Sequence, residues 1–338
     1  MDNFHTVIIG AGPAGLQCAA ILAEYGRQVV VLERRAAVGP KVCAGGIPSH
    51  ALRSLRLPPE LIEKSFSAQH IYTPWQRAVI KAQEPIISTV NRQRLGRWML
   101  RQAREKGVVV LDNSRVTGID KSHVQLKNRK IGYQYLVGAD GSSSLVRRYL
   151  NIPAKRQGVG INYQIPVQMP QMEWHLNPRL FNSGYAWIFP HRLSTSVGAY
   201  APRHDLPPQK LRERFCLWAR ERGIAIDTTK VKAALVNSDY RGWNFGRIFL
   251  AGDAAGLASG FTGEGIYPAI VSGQTIAHTI INQSYKPAHL QQLIKQQKRH
   301  NRIQKKFTGN KVVCQITLEM LVLALRMGLI KFDLLEMN

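Results

Sequence analysis

Apolar positions near the N-terminus form a run, Val7-Ile8-Ile9, that stops at Gly10-Ala11-Gly12-Pro13-Ala14-Gly15. A helix-length apolar stretch follows from Leu16 to Tyr25, then a second apolar run, Gln28 to Leu32, that ends on Glu33. Short apolar runs bounded by glycine read as buried strands and the longer segment as a helix, so the pattern predicts a strand–helix–strand unit. The loop from Gly39 to Pro48 shows no periodicity and is expected to be irregular, neither helix nor strand. Residues 66–81 predict short strands with a turn near Pro74. Leu95, Trp98, Met99 and Ala103 recur at helical spacing between Asn91 and Lys106, with arginines on the other face. Val108 to Leu111 and Tyr133 to Val137 predict two more strands, the second closed by Gly138-Ala139-Asp140-Gly141.

From about 156 to 242 the pattern changes to alternating strands carrying prolines and aromatics: Val159 to Val167, Tyr185 to Phe189, Ser194 to Tyr200 and Ala233 to Asn237. A helix from Pro207 to Arg222 interrupts them. The earlier style returns with Gly246 to Leu250 and Gly252-Asp253, then a helix from Gly263 to Asn282; residues 286–338 read as helical. The chain is therefore expected to be α/β, with a nucleotide-binding domain built from 1–65, 88–155 and 243–285. A sheet domain from 66–87 and 156–242 is inserted, and C-terminal helices occupy 286–338. A pocket is expected where the domains meet.

Composition narrows the classes. At 338 residues with 45% hydrophobic content and 28 glycines, the chain suits an α/β protein of two interleaved domains. Cys18, Cys43, Cys216 and Cys314 are far apart and form no C-x-x-C pair, which argues against a disulfide framework or a zinc site. His50, His70, His175 and His191 show no metal-ligand spacing, and no metal is expected. The start, Met1 to His5, enters a strand without a basic region or apolar leader, so a cytoplasmic location is expected. Lysine and arginine number 46 against 21 acidic residues, a formal charge of +25, which favours anionic partners. No nucleic-acid-binding pattern is present, so phosphorylated substrates or an anionic membrane on its inner face are the expected partners. A basic run from Lys295 to Lys306 precedes the apolar segment Val312 to Ile330. Glu319 and Arg326 argue against a membrane span; an amphipathic helix lying on a membrane and a helix docked on the body both fit.

The glycine turns carry the chemistry. Gly10 permits a tight turn, Gly12 lets backbone amides approach a pyrophosphate, and Gly15 lets helix and strand pack closely. The helix start at Ala14 adds partial positive charge, and Glu33 can accept hydrogen bonds from an adenosine ribose. Asp253, after an apolar strand, can accept from a sugar-alcohol chain, which fits a flavin's ribityl better than a nicotinamide cofactor. Gly265-Ile266 opens a helix whose amides can face the flavin's N1–O2 edge and stabilise the anion formed on reduction. Tyr185, Trp187 and Phe189 alternate and so share one strand face, which either lines a long apolar channel or fills a core.

Three glycine–acid turns in this order resemble the two-dinucleotide-binding flavoproteins of the glutathione-reductase and p-hydroxybenzoate-hydroxylase type. Lys41-Val42-Cys43-Ala44-Gly45-Gly46-Ile47 resembles the K-x-C-G-G-G loop of the geranylgeranyl reductase family, and Tyr185-Ala186-Trp187-Ile188-Phe189-Pro190 its Y-x-W-x-F-P strand. Gly263 to Ile266, with Ala269 and Ser272-Gly273, is similar to its post-ribityl helix. The resemblance runs to about residue 285; Ala44 replaces a usual glycine, and Gly96 stands where Asp is common. It implies a Rossmann-like FAD-binding domain with an inserted antiparallel-sheet substrate domain and a C-terminal helical segment.

The cofactor-binding residues it implies are Gly10, Gly12, Ala14, Gly15, Glu33, Arg34, Cys43, Ala44, Gly46, Arg92, Arg97, Asp140, Gly252, Asp253, Gly265 and Ile266. Of the two helix arginines Arg97 is the better match, and Asp140 lies in the turn shared by cofactor and reductant. The implied activity is hydride transfer from reduced flavin to C=C bonds of an isoprenoid or prenyl-lipid chain. NAD(P)H or a reduced electron carrier would be the donor, and Cys43 the proton donor or a packing residue. The alternatives are a flavin monooxygenase or halogenase of an aromatic or lipid substrate, and a non-catalytic prenyl-binding carrier.

Overall fold

The structure is a computed structural model that describes residues 2–39, 41–307, 309–330 and 337. Its first sheet has a parallel centre whose strands lie in the order 248–250, 130–138, 2–9, 29–32, 109–111. Leu250, Gly138, Ile9, Leu32 and Leu111 sit in one row across these strands. Every turn that leaves the carboxyl ends therefore starts from the same edge, where open α/β sheets bind ligands. A strand buried on both faces reads as a continuous apolar run, as Val29–Leu32 does.

The helices in chain order are α1 (Pro13–Glu24), α2 (Ser49–Leu55), α3 (Arg92–Glu105), α4 (Leu145–Tyr149), α5 (Pro178–Phe181), α6 (Pro208–Glu221), α7 (Ile266–Ile281), α8 (Ala288–Phe307) and α9 (Lys311–Arg326). A Cβ placed on Gly273 of α7 would lie 2.2 Å from the Ala14 carbonyl oxygen. The two helices thus meet backbone to backbone, the first turn of α1 against the middle of α7.

The inserted sheet has seven strands in the order 232–237, 157–165, 195–202, 185–190, 173–175, 68–72, 77–81. It is antiparallel except where 173–175 runs parallel to 68–72, two segments joined through the nucleotide-binding domain rather than by a hairpin. A third, small sheet joins 46–48, 87–90 and 62–66.

Two expectations are corrected. Gly46–Pro48 is a strand paired with Ile87–Val90, not irregular chain, because a distant partner supplies the hydrogen bonds that local pattern does not reveal. The helix expected from Gly263 begins at Ile266, since Gly263 adopts a left-handed φ of +68°. The expectation of helix over 331–336 and at 338 lies outside the described residues.

Candidate functional site

The first turn is shaped by exclusion. Gly10 has φ +104°, and a Cβ there would lie 2.4 Å from the Ala139 carbonyl oxygen, so no other residue fits. A Cβ on Gly15 would lie 2.1 Å from the Gly10 carbonyl oxygen, which is the close helix–strand packing expected of it. Gly12 is the N-cap of α1 and offers no side-chain cap, and Pro13 follows at the first helical position. The N-terminal amides of α1 near Ala14 are left for a ligand. Glu33 is fixed from both sides: Oε2 accepts from the Ala11 N–H at 2.9 Å and Oε1 from the Arg35 N–H at 3.0 Å. Each oxygen keeps a lone pair for another donor. Arg34 is exposed beside it.

The second turn meets the first. Asp140 Oδ2 accepts from the Leu145 N–H at 2.6 Å and the Val146 N–H at 3.4 Å, so one oxygen serves the start of α4. Its Oδ1 is buried and has no partner among the described residues, and burial pushes this carboxyl above the ordinary carboxylate range.

Asp253 is the meeting point of the third. Its Oδ2 accepts from Lys41 Nζ at 3.0 Å and Ser142 Oγ at 2.9 Å, and Oδ1 lies 3.3 Å from where a Cβ on Gly265 would stand. Gly265 caps α7 without a side chain, so a second set of helix N-terminal amides, led by Ile266, is open here. Gly252 takes φ +54° and donates its N–H to Ser272 Oγ at 2.9 Å, which accounts for the serine one residue before Gly273. The carboxylate, two uncapped helices and the Lys41 loop converge at one sheet edge.

The loop from Lys41 to Gly46 is pressed onto the inserted sheet. A Cβ on Gly46 would lie 2.6 Å from the Phe189 ring, and one on Gly45 2.4 Å from the Val90 carbonyl oxygen. His191 Nε2 donates to the Ala44 carbonyl at 3.0 Å, which fixes the tautomer, and burial lowers its pKa so that the ring is neutral. Cys43 is half-buried, and its Sγ accepts from the Gly45 N–H at 3.4 Å. Cys18 and Cys314 are buried, and burial pushes their thiols up, the latter to about 12, as inert core groups are.

The rings of Tyr185, Trp187 and Phe189 do share a face, with centroids 6.1 and 6.5 Å apart along it. Trp187 and Phe189 are buried among Phe66, Ile87, Met172 and Tyr200, and Trp187 Nε1 donates to Ser196 Oγ at 3.1 Å. Tyr185 is partly open, and its hydroxyl donates to the Thr262 carbonyl. Tyr200 donates to the Gly260 carbonyl at 3.0 Å. Burial pushes both phenols up, so both remain donors that hold the 259–263 loop ahead of α7.

The two helix arginines are placed differently. Arg97 is exposed, whereas Nε and Nη1 of Arg92 are buried with no partner among the described residues. Arg92 precedes Gly96 by one turn, and a Cβ on Gly96 would lie 2.3 Å from Gly39 Cα. That contact leaves no room for an Asp at 96. A buried guanidinium lacking acceptors costs several kcal/mol unless an anion meets it. The orphaned Arg92 nitrogens, the orphaned Asp140 oxygen and two uncapped helices fit FAD, whose pyrophosphate and polyol supply the missing acceptors and donors. Ser142, His191 and Tyr200 were missed as positioning residues, and Lys41 and Ser272 entered only as members of motifs, without a role. His191 stands directly after the Phe189-Pro190 pair, the one local signal available.

Comparisons agree with this geometry. The model of the FAD binding domain family matches residues 3–305. An uncharacterized protein of Methanosarcina barkeri is 29% identical over 301 residues, 85% of this chain and 76% of that protein. The geranylgeranyl diphosphate reductase of Rhodobacter capsulatus is 26% identical over 312 residues, 85% of this chain and 78% of the reductase. Among solved structures, a geranylgeranyl bacteriochlorophyll reductase-like protein of Thermoplasma acidophilum superposes with a TM-score of 0.82. It is 19% identical, with 99% of this chain and 95% of that one covered. The chain belongs to the FAD binding domain family and is an FAD-dependent oxidoreductase of the geranylgeranyl reductase-like kind.

Proposed function

We propose that the protein saturates C=C bonds in the prenyl chain of an isoprenoid diphosphate or prenyl lipid. The observation that carries this reading is the Cys43 loop, pinned by His191 and Phe189 and tied to Asp253 through Lys41. Bound and reduced, FAD supplies a hydride equivalent, and NAD(P)H or a small reduced carrier restores it. The chain's own residues do the rest. Gly10, Gly12, Gly15, Glu33 and Arg92 hold the adenine nucleotide, while Asp253 and the amides at Gly265 and Ile266 hold the ribityl and pyrimidine end. Tyr185 and its neighbours exclude water, so that an isolated alkene, which is poorly polarised, is held in reacting position rather than activated by charge. The other carbon of the double bond takes a proton from the Cys43 thiol, which water then reprotonates. A prenyl lipid resides in a bilayer, so the reading also places the protein against an anionic membrane on its inner face.

The test is incubation of the holoprotein, under argon with dithionite, with prenyl diphosphates and prenyl lipids, followed by mass spectrometry. Products heavier by one H2 per reduced bond support the reading. Hydroxylated or halogenated products formed only in air would replace it with a monooxygenase or halogenase. Cys43→Ser is expected to slow saturation by about a hundredfold or more while FAD content holds, from the lower end of general-acid contributions upward. Unchanged turnover would assign Cys43 to packing.

A further inference from the structure

Helix α9 has two apolar faces, and one of them is uncovered. The inner face buries Leu318 and Val322, and Glu319 ties it down: its carboxylate accepts from Thr73 Oγ1 at 2.5 Å, the Trp75 N–H at 3.1 Å and Gln76 Nε2 at 2.9 Å. The helix therefore cannot roll to hide its other side. On that other side Val313, Ile316, Met320, Leu323 and Met327 form one row at alternating three- and four-residue spacing, and they are 50, 45, 65, 39 and 64% exposed. A helix lying on a globular body normally presents polar residues there. Trp75, 65% exposed, stands at the tip of the turn that Glu319 holds.

Charge selects the occupant. Between residues 288 and 330 the chain carries Lys295, Lys298, Arg299, Arg302, Lys305, Lys306, Lys311 and Arg326, and its one acid, Glu319, is buried. Pairing this surface with a second copy would set two such basic rows, on chains of +25 each, against one another. No helix among the described residues is long and apolar enough to cross a membrane. We propose that the outer face of α9, with Trp75 and the basic residues of α8, is a docking surface for an anionic lipid bilayer. The apolar row enters the acyl boundary while lysine and arginine meet lipid phosphates. The inner side of α9 packs on Phe261 and Leu176, and Trp174 in the same cluster lies 6.0 Å from the Tyr185 ring. Docking would thus bring the bilayer within a few side chains of the Tyr185 ring; what it serves rests on the prenyl-lipid reading, whereas the docking itself does not.

The experiment is co-sedimentation of the holoprotein with vesicles of phosphatidylcholine, alone or mixed with phosphatidylglycerol. The protein should pellet with the mixed vesicles only and be released by high salt. The double variant Met320→Glu/Leu323→Glu and the triple variant Arg299→Gln/Arg302→Gln/Lys306→Gln should each weaken binding by about tenfold or more. All these side chains are exposed, so flavin content and thermal midpoint should hold. Absence of binding to the mixed vesicles, or binding untouched by the glutamates, overturns the proposal. So does a dimer in sedimentation velocity that the glutamates dissociate, which would make the face a self-interface. If the vesicles bind the protein but no prenyl substrate is reduced in bilayer or detergent, the substrate reading fails and the docking surface stands.

Discussion

Arg92 and Arg97 are five residues apart on one helix, yet only Arg92 has buried nitrogens without acceptors. Arg92→Met should therefore weaken FAD binding by about 1.5–3 kcal/mol, the range for hydrogen bonds to charged groups. The same change should leave the cofactor-free protein no less stable, because it removes an uncompensated charge. Arg97→Met should change neither; titration of cofactor-free protein with FAD, alongside thermal melting, separates the two. His191 makes a pH prediction. Burial holds its imidazole below the ordinary value of 6.5, so as pH falls the unfolded chain takes up this proton before the folded one does. The stability carried by neutral His191 is full above 6.5 and is lost as pH drops through that value toward the folded one. His191→Gln keeps a donor for the Ala44 carbonyl but does not titrate. Its melting temperature should fall less between pH 7.5 and pH 5.5 than that of the parent, a window of about one unit either side of the ordinary histidine value. Equal slopes would show that His191 carries no such term.

The elements differ in how far local pattern announced them. The strand Val29–Leu32 is buried on both faces, and α3 buries Leu95, Met99 and Ala103 while showing arginines outside, so periodicity found both. Gly46–Pro48 was invisible because glycine and proline carry no strand signal and the partner, Ile87–Val90, lies some forty residues on. The three glycine–acid turns were legible from spacing alone. The residues that brace the site from other elements, Ser142, His191 and Tyr200, were not, since each acts only through a contact distant in sequence. Glu319 is the instructive reversal: read along the chain it breaks an apolar helix, but in space it anchors that helix. At this scale the α1–α7 contact is the most exposed to test. Gly273→Val would drive a branched side chain into the Ala14 carbonyl, so the helices must separate. A loss of about 1–3 kcal/mol or more is expected, with FAD retention falling as the start of α1 shifts against α7. Denaturant melts and flavin-to-protein ratio check it; a variant that keeps both would refute the shared-anchor role of this crossing.

At the scale of the whole molecule, one sheet edge gathers turns from residues 10–15, 33, 138–141 and 252–253, and the inserted sheet lays Tyr185, Phe189 and His191 over the same edge. The C-terminal helices close the arrangement: Gln297 Nε2 donates to the Gly256 carbonyl at 3.0 Å, and Asn301 Nδ2 to the Ser238 carbonyl at 2.8 Å. The loop between Asp253 and α7 is thereby held from the aromatic side and from α8 at once. A cofactor clasped in this way would turn its reactive edge toward the Tyr185 side of the inserted sheet, and the proposed chemistry depends on that juxtaposition. The most direct measurement is an anaerobic single turnover: the flavin in the purified protein is bleached with one equivalent of dithionite and mixed with geranylgeranyl diphosphate or a prenyl lipid. Return of the oxidised flavin band, with one bond of the prenyl chain saturated per flavin, is the predicted result. A flavin that stays bleached with every prenyl substrate yet reoxidises in air would contradict it.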